Sequence, residues 1–475
     1  MNKHFLFHLF IFACFLIDSS QAAEITVAPG VGTLQTAINA ASAGDTLLLQ
    51  NGTYSGATTI NKGLTIRPVN TVTKATWGSS QLIINAPSSA VTIQGLSLVG
   101  GVRIDNGDDV KILKNSSVGP STVNNANIVL FSENNFLASG LSVVNNAKVI
   151  NFSRNSFSAT LDINKADDVK LLENEFHNGA SIDVDNRTSG ALAIIGNRLD
   201  AGGSIQTIRS NDAYIAGNTL NDGFLRVNAP AWIVGNYINY SGQDSIVVNT
   251  LGGVQIIGNE VTNCYNYFGA YNPNYDHRSA VVLITTSVAV VAGNIIKMTG
   301  GTSSGYNRSG LYSYGHMNAY NNIIVYKKQS MGTSPGIYSP SGKVVGNIVV
   351  GMSQGTPIQG TNDANYNLCY NNTNNTSCGK NYLAADPKFI DEIDYKLAAG
   401  SPAINAGSTD LALSDLDRSR NDMGVHGGPW DIAQYKAQRD PLYLGPFVYP
   451  LFDANASFLD ADTLQVRALG VARLR

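Results

Sequence analysis

An asparagine recurs through the middle of the chain, at Asn115, Asn134, Asn155, Asn174, Asn197, Asn218, Asn236, Asn259, Asn294, Asn322, Asn347 and Asn367. The early steps are 18 to 23 residues, and the octapeptides "DDVKILKN" and "DDVKLLEN" are two copies of the repeat, 59 positions apart. Three residues before each asparagine the side chain is apolar in all twelve copies, from Ile112 and Phe131 to Val344 and Ala364. Five before, it is apolar from Val110 through Met317, while the residue between is unrestricted, as Lys111, Lys170 and Gln255 show. Alternation of this kind is a strand with one buried face, and helical spacing would not put both positions on one side. A step of about twenty residues holds three short strands, and one coil cannot cover its own apolar face. Coils must therefore stack, roughly 4.8 Å apart. Asparagine tolerates a left-handed turn, and its amide can bond to the same amide one coil on. The ladder thus predicts vertically aligned corners.

The first coil of such a stack needs a cover. Thr33 is placed to cap a short helix whose Leu34, Ala37, Ile38 and Ala41 share a face, ended by Gly44. Before it, Lys3 and the apolar run Phe5 to Ile17 lead to Ser20-Gln21-Ala22, the pattern of a secretory leader cleaved near Ala22. No later stretch is long and apolar enough to span a bilayer. With a net charge of −3 and 14% charged residues, nothing steers the chain to nucleic acid or an anionic membrane. An oxidising compartment would permit a bridge between Cys369 and Cys378, leaving Cys264 single.

Two segments bear a family resemblance. "TLQTAINAASAGDTLLLQNGTYSG", Thr33 to Gly56, resembles the opening of secreted right-handed parallel β-helix proteins, among them polysaccharide lyases of the alginate lyase and chondroitinase B type. "ADPKFIDEIDYKLAAGSPAINAG" with "DLDRSRNDMGVHGGP", within Ala385 to Pro429, resembles the closing segment of many bacterial β-helix proteins. Ladder and resemblance together imply an all-β fold. It is a single-stranded right-handed parallel β-helix, a solenoid with a short N-terminal capping helix and an irregular C-terminal cap. The chain divides into a leader over 1–22, a cap and first coils over 23–100, and the laddered β-helix over 101–375. A closing segment over 376–432 and a tail of unassigned role over 433–475 follow. The location implied is secreted, periplasmic or cell-envelope, and the chain is read as a monomer.

The period fails in one place. The step from Asn259 to Asn294 is 35 residues and the next two are 28 and 25, so loops crowd on adjacent coils. Between Thr262 and Lys343 stand six basic residues, Arg278, Lys297, Arg308, Lys327, Lys328 and Lys343, against one acid, Asp276. Ten of the 21 tyrosines lie there too, including Tyr265, Tyr267, Tyr271, Tyr275, Tyr306, Tyr312, Tyr314 and Tyr320. Tyrosine offers a sugar an apolar face with a polar edge, and Lys or Arg pairs with carboxylates. Tyr265, Tyr267, Tyr271, Tyr275, Tyr306, Tyr314 and Tyr320 with Lys297 and Lys327 are the expected substrate-binding set, and an acidic polysaccharide the expected partner. The ladder's register turns Tyr312 and Tyr314 outward.

Cleaving or epimerising a uronate requires neutralising its carboxylate and removing the neighbouring proton. "YDHRS" and "NRSGLYSYGH" carry the candidate catalytic residues: Arg278 or Arg308 as neutraliser, and His277, His316 or Tyr312 as base or acid. The lyases resembled here use a lysine and an arginine beside a calcium site. No motif fixes which residues would correspond, so no role is carried over and calcium is left open. "NGDDV" at Asn106–Val110 echoes a pectin-hydrolase motif but reads as part of the repeat, and the Asp-Pro-His-Asp of epimerases is absent. Asp415, Asp417, Ser419, Asn421 and Asp422 crowd together, yet Arg420 stands where an EF-hand needs glycine, and the loop reads as a structural turn. Three readings result: a β-helix that binds an acidic polysaccharide and cleaves it by β-elimination, a non-catalytic surface β-helix binding glycan or protein, and a uronate epimerase.

Overall fold

The computed structural model describes residues 22–72, 74–116, 118–137, 142–185, 190–209, 212–239, 244–262, 279–285, 288–299, 309–327, 334–439, 447–451 and 467–471. The leader and Cys264 lie outside them. The chain is a right-handed parallel β-helix of about 14 turns. Each coil runs through three faces. A first-face strand such as Ile182–Asp185 leads to a second-face strand, Ala191–Ile195, then through the asparagine corner to a third-face strand, Arg198–Leu199. Each pairs in parallel with its counterpart one coil on, as Asp183↔Gln206, Ile194↔Ile215 and Leu199↔Leu220 show. In the early coils the first two faces are one bent strand, as in Val102–Leu113.

The ladder is continuous. The Nδ2 of each asparagine donates to the Oδ1 of the next, at 2.9–3.0 Å throughout, from Asn115 to Asn367. The second Nδ2 hydrogen reaches the carbonyl of the apolar residue in the coil before, as Asn134 does to Ile112 at 2.7 Å. The Oδ1 also accepts the backbone N–H of the preceding ladder asparagine, as Asn236 accepts Asn218 at 2.9 Å. All twelve are buried, and four satisfied bonds make that burial tolerable. One expectation is corrected. The left-handed residue is the one before the asparagine, among them Lys114, Glu133, Arg154, Glu173, Gly258 and Gly293. The asparagine side chain points inward to close the turn that its neighbour makes.

Inside, apolar side chains stack on their equivalents. Phe131 lies 4.8 Å from Phe152, and Phe136, Phe157 and Phe176 follow one another at 4.7 Å. At the N-terminal end helix α1, Thr33–Ala40, takes the place of a first-face strand and buries Leu34 and Ile38. Gln35 Oε1 accepts the Thr59 N–H at 2.7 Å, which ties the helix to the first-face strand below. The cap residue is Gly32, in left-handed conformation, and not Thr33; the Thr33 hydroxyl donates to Gly30 O within the turn.

At the other end Cys369 and Cys378 are disulfide-bonded, with Cα atoms 6.2 Å apart. The closing segment then folds back along the stack, which the sequence did not announce. Tyr395, Met423, Val425 and Ile432 cover the outward third-face residues Ile295, Ile323, Ile348 and Leu368. Leu413, Trp430 and Tyr435 cover second-face residues Ile257, Ala292 and Val345. Tyr435 belongs to helix α2, Ile432–Arg439, a second unforeseen element. In the tail, Arg467–Val471 is a strand antiparallel to Phe447–Leu451.

Candidate functional site

The interruptions share one corner. Third-face strands end at Thr262, Thr299 and Lys327, and the next first-face strands begin at Val281, Leu311 and Ile337. Every long insertion therefore leaves where the third face turns into the first. In these same coils the closing segment covers the outer sides of the other two faces. The first face is the one left to meet a ligand.

Its outward row can be followed by register: Asp162, Asp183, Gln206, Arg226, Val247, Val282, Tyr312, Tyr338, Gln359. Tyr312 and Tyr338 stack at 4.7 Å, and Tyr314 stands edge-on to Tyr312 at 5.2 Å with 47% of its surface exposed. The Tyr312 phenol is pushed up to about 12, first by burial and then by Tyr314 and Tyr338. It holds its proton at neutral pH. His316 is half-buried where the chain passes from this face to the second, and its backbone bridges to Ser341 one coil on.

Other expected residues sit elsewhere. Tyr320 is on the second face, stacked on Trp430 at 5.3 Å, its phenol pushed up to about 12 by burial and then by Asp363 and Asp410. Lys297 and Lys327 are on the third face, where Lys297 pairs with Glu260 at 2.9 Å and Lys327 with Glu392. His277, Arg278, Arg308, Tyr265, Tyr267, Tyr271, Tyr275 and Tyr306 lie outside the described residues. Of the expected set, the structure brings Tyr312 and Tyr314 into contact, and His316 follows them in the chain at the start of the second face.

The sequence reading missed the acid end of the same face. Asp162 and Asp183 are register partners, and Asp185 pairs with Asn164 beside them. Burial pushes both Asp162 and Asp183 above the ordinary carboxylate range, and the Asp162 charge adds to the rise at Asp183. The alternation in "LDIN" and "SIDVDN" carries this signal, but the varying distance to the asparagine hides the register. A shallow cleft of about 250 Å³ opens at the bend between the first two faces, lined by Asn106, Asn125, Asn127, Asn146, Lys148 and Asp167. The "NGDDV" acids there are occupied: Asp108 accepts from Asn127 at 2.6 Å and Asp109 pairs with Lys111 at 2.9 Å.

For a divalent cation, the described residues contain no group of three or more His, Cys, Asp or Glu placed to hold one. In the Asp415 turn the carboxylate accepts the N–H of Gly428 at 2.6 Å and of Asp422 at 3.1 Å. Its oxygens serve the backbone, so no calcium chemistry is assigned.

No family model matches the chain, and no curated protein matches it in sequence. Among solved structures it is similar to an alginate lyase complexed with a trisaccharide, at 12% identity and a TM-score of 0.40, covering 88% of this chain and 97% of that one. It is also similar to a pectate lyase, at 15% identity and a TM-score of 0.29, covering 86% and 96%. The bacteriophage CBA120 tailspike protein 3 matches at 12% identity and a TM-score of 0.39, covering 74% of this chain and 58% of the tailspike. No residue role passes from any of these to this chain.

Proposed function

We propose that the first face binds an acidic polysaccharide in an exported β-helix protein. The observation that carries this reading is the Tyr312–Tyr338 platform, on coils whose other faces are covered. Stacked phenols give pyranose rings an apolar floor, and their hydroxyls bond the ring substituents. The Cys369–Cys378 bridge supports export, because such bonds persist in oxidising compartments. Among described residues no helix is long and apolar enough to cross a membrane.

On the enzymatic reading, Arg278 or Arg308 neutralises the uronate and His277 or His316 takes the proton. Tyr312, protonated at neutral pH, protonates the departing oxygen. The non-catalytic alternative needs the platform alone, and under either reading Lys297 and Lys327, two of the span's six basic residues, are committed to Glu260 and Glu392. Incubation with alginate, pectate and chondroitin, with and without calcium, separates the two, since elimination produces an unsaturated sugar that absorbs in the ultraviolet. Tyr312→Ala is expected to weaken glycan retention roughly tenfold in either case. Wild-type retention by the variant would rule out the first face as the binding surface.

A further inference from the structure

The three third-face strands that end where the insertions begin share a second property: each carries a charged side chain gripped by the closing segment or α2. Glu260 lies two residues before the end of its strand at Thr262, Lys297 two before Thr299, and Lys327 is itself the last residue of its strand. Glu260 is only 9% exposed although it points away from the core, and it meets three cations: Lys297 at 2.9 Å, Lys436 at 3.2 Å and Arg439 at 3.3 Å. Asp394 supplies the second anion, 2.8 Å from Lys436. The Ile393 carbonyl accepts from both Lys297 and Lys436, and Glu392 pairs with Lys327. The rings of Tyr395 and Tyr237 lie under Lys297 and Arg439, 5.4 and 5.7 Å from the cations.

Holding the solenoid does not call for this arrangement. The third-face strands already pair in register, Val261↔Ile296 and Thr299↔Lys327, and the asparagine ladder closes each corner. Taking so many charges out of water is costly unless their geometry is fixed. What the cluster does fix is the position of three strand ends relative to one short stretch, Glu392 to Tyr395, and one helix.

We propose that the closing segment and α2 form an electrostatic clamp that sets the three strand ends at Thr262, Thr299 and Lys327, the roots from which the insertions leave next to the first face's strands. Glu260, Glu392 and Asp394 are then positioning residues for glycan binding, acting through the strand ends without touching the glycan. This rests on the reading of the first face as the binding surface. The charges link three coils to one element: Glu260 draws Lys297 from the neighbouring coil and Lys436 and Arg439 from α2, while Glu392 holds Lys327 one coil further on and Asp394 holds Lys436.

The test combines amide hydrogen exchange with glycan affinity in the full chain. In Glu260→Gln and in Asp394→Asn, exchange at residues 261–262, 296–299 and 324–327 is expected to quicken on the order of tenfold or more. Exchange in the coils from Asn115 to Asn174 should stay at the wild-type rate. Affinity for alginate, pectate or chondroitin oligosaccharides, whichever the wild type retains, should fall at least about fivefold. Glu392→Gln, which touches only an exposed pair, keeps the comparison open if the buried substitutions prevent folding, and its effect should centre on residues 325–327. Unchanged exchange at the roots, acceleration spread evenly over all coils, or loosened roots with wild-type affinity would each overturn the clamp. If the wild type retains none of the three glycans, the glycan reading falls, and the exchange comparison alone decides the clamp.

Discussion

Asn236 shows what one ladder residue is worth. Its Oδ1 accepts the N–H and Nδ2 of Asn218, and its Nδ2 donates to Ile215 O and Asn259 Oδ1, all at 2.9 Å. Asn236→Ala strands those partners in a dry corner, where unpaired polar groups are expensive. A loss of about 3 kcal/mol is expected in denaturant unfolding. Asn145→Ala, which removes an exposed amide with a single 3.4 Å bond to Asn124, should cost at most about 0.5 kcal/mol. Equal costs would mean that the ladder is decoration. The spacing of these asparagines was legible from the sequence because burial forced it. Which residue takes the left-handed turn was not, since Lys, Glu, Arg and Gly all fill that position. Glycine becomes necessary where the closing segment sits: a Cβ on Gly258 would lie 2.2 Å from Tyr435, and one on Gly293 would lie 2.4 Å from Trp430 O. Gly258→Ala should therefore cost about 2 kcal/mol, from both clash and left-handed strain. Glu173→Gly, at the equivalent position far from α2, should be nearly neutral. A similar penalty at both sites would argue against the glycine as a seat for α2.

The closing segment is the element that sequence patterning could not place. Its contacts are with outward positions two before the asparagine, such as Ile257, Ala292 and Val345, which a strict in-out alternation assigns to solvent. Apolar residues there are the trace of a second layer, readable only once the stack is known. His426 joins this element to the start of α2. Its ring lies 3.1 Å from Asp431 Oδ1 and 2.9 Å from Asp394 O. Burial opposes its charge, but the bonds to Asp431 and Asp394 outweigh it, so the pKa is raised above the ordinary 6.5. A raised folded pKa adds stability that is complete below 6.5 and is lost as pH climbs through the folded value. Asp431 is shifted the other way: burial again works against the charge, His426 more than offsets it, and its contribution disappears only in acid. Melting temperature should thus decline as pH rises from about 6 toward 9, and His426→Gln should flatten that slope. A wild-type profile that rises over the same interval would contradict the assigned direction.

Over the whole molecule, the first face has two chemically different ends. From Asp183 to Tyr312 is five coils, roughly 24 Å at about 4.8 Å each. The aromatic end was legible, because the insertions and the tyrosines fall in one window. The acid end was not, because Asp162 and Asp183 meet only through a register that loop lengths obscure. Together they predict a pH dependence that varies with ligand length. A short uronate oligomer on Tyr312 and Tyr338 does not reach the carboxylates, whereas a long one running toward Asp183 does. Where Asp162 and Asp183 are ionised they repel it. Both pKa values are raised by burial, so protonation begins at higher pH than for free carboxylates and relieves that repulsion while the uronates stay charged. Affinity for long chains should therefore increase as pH falls from about 7 to 5, with little change for short ones. Asp183→Asn should raise long-chain affinity at neutral pH and reduce its dependence on pH, leaving the part that Asp162 contributes. Calorimetric titration with two lengths of the same oligosaccharide at both pH values reads this directly. A parallel response for both lengths would mean that a bound chain never extends along the first face to the paired acids.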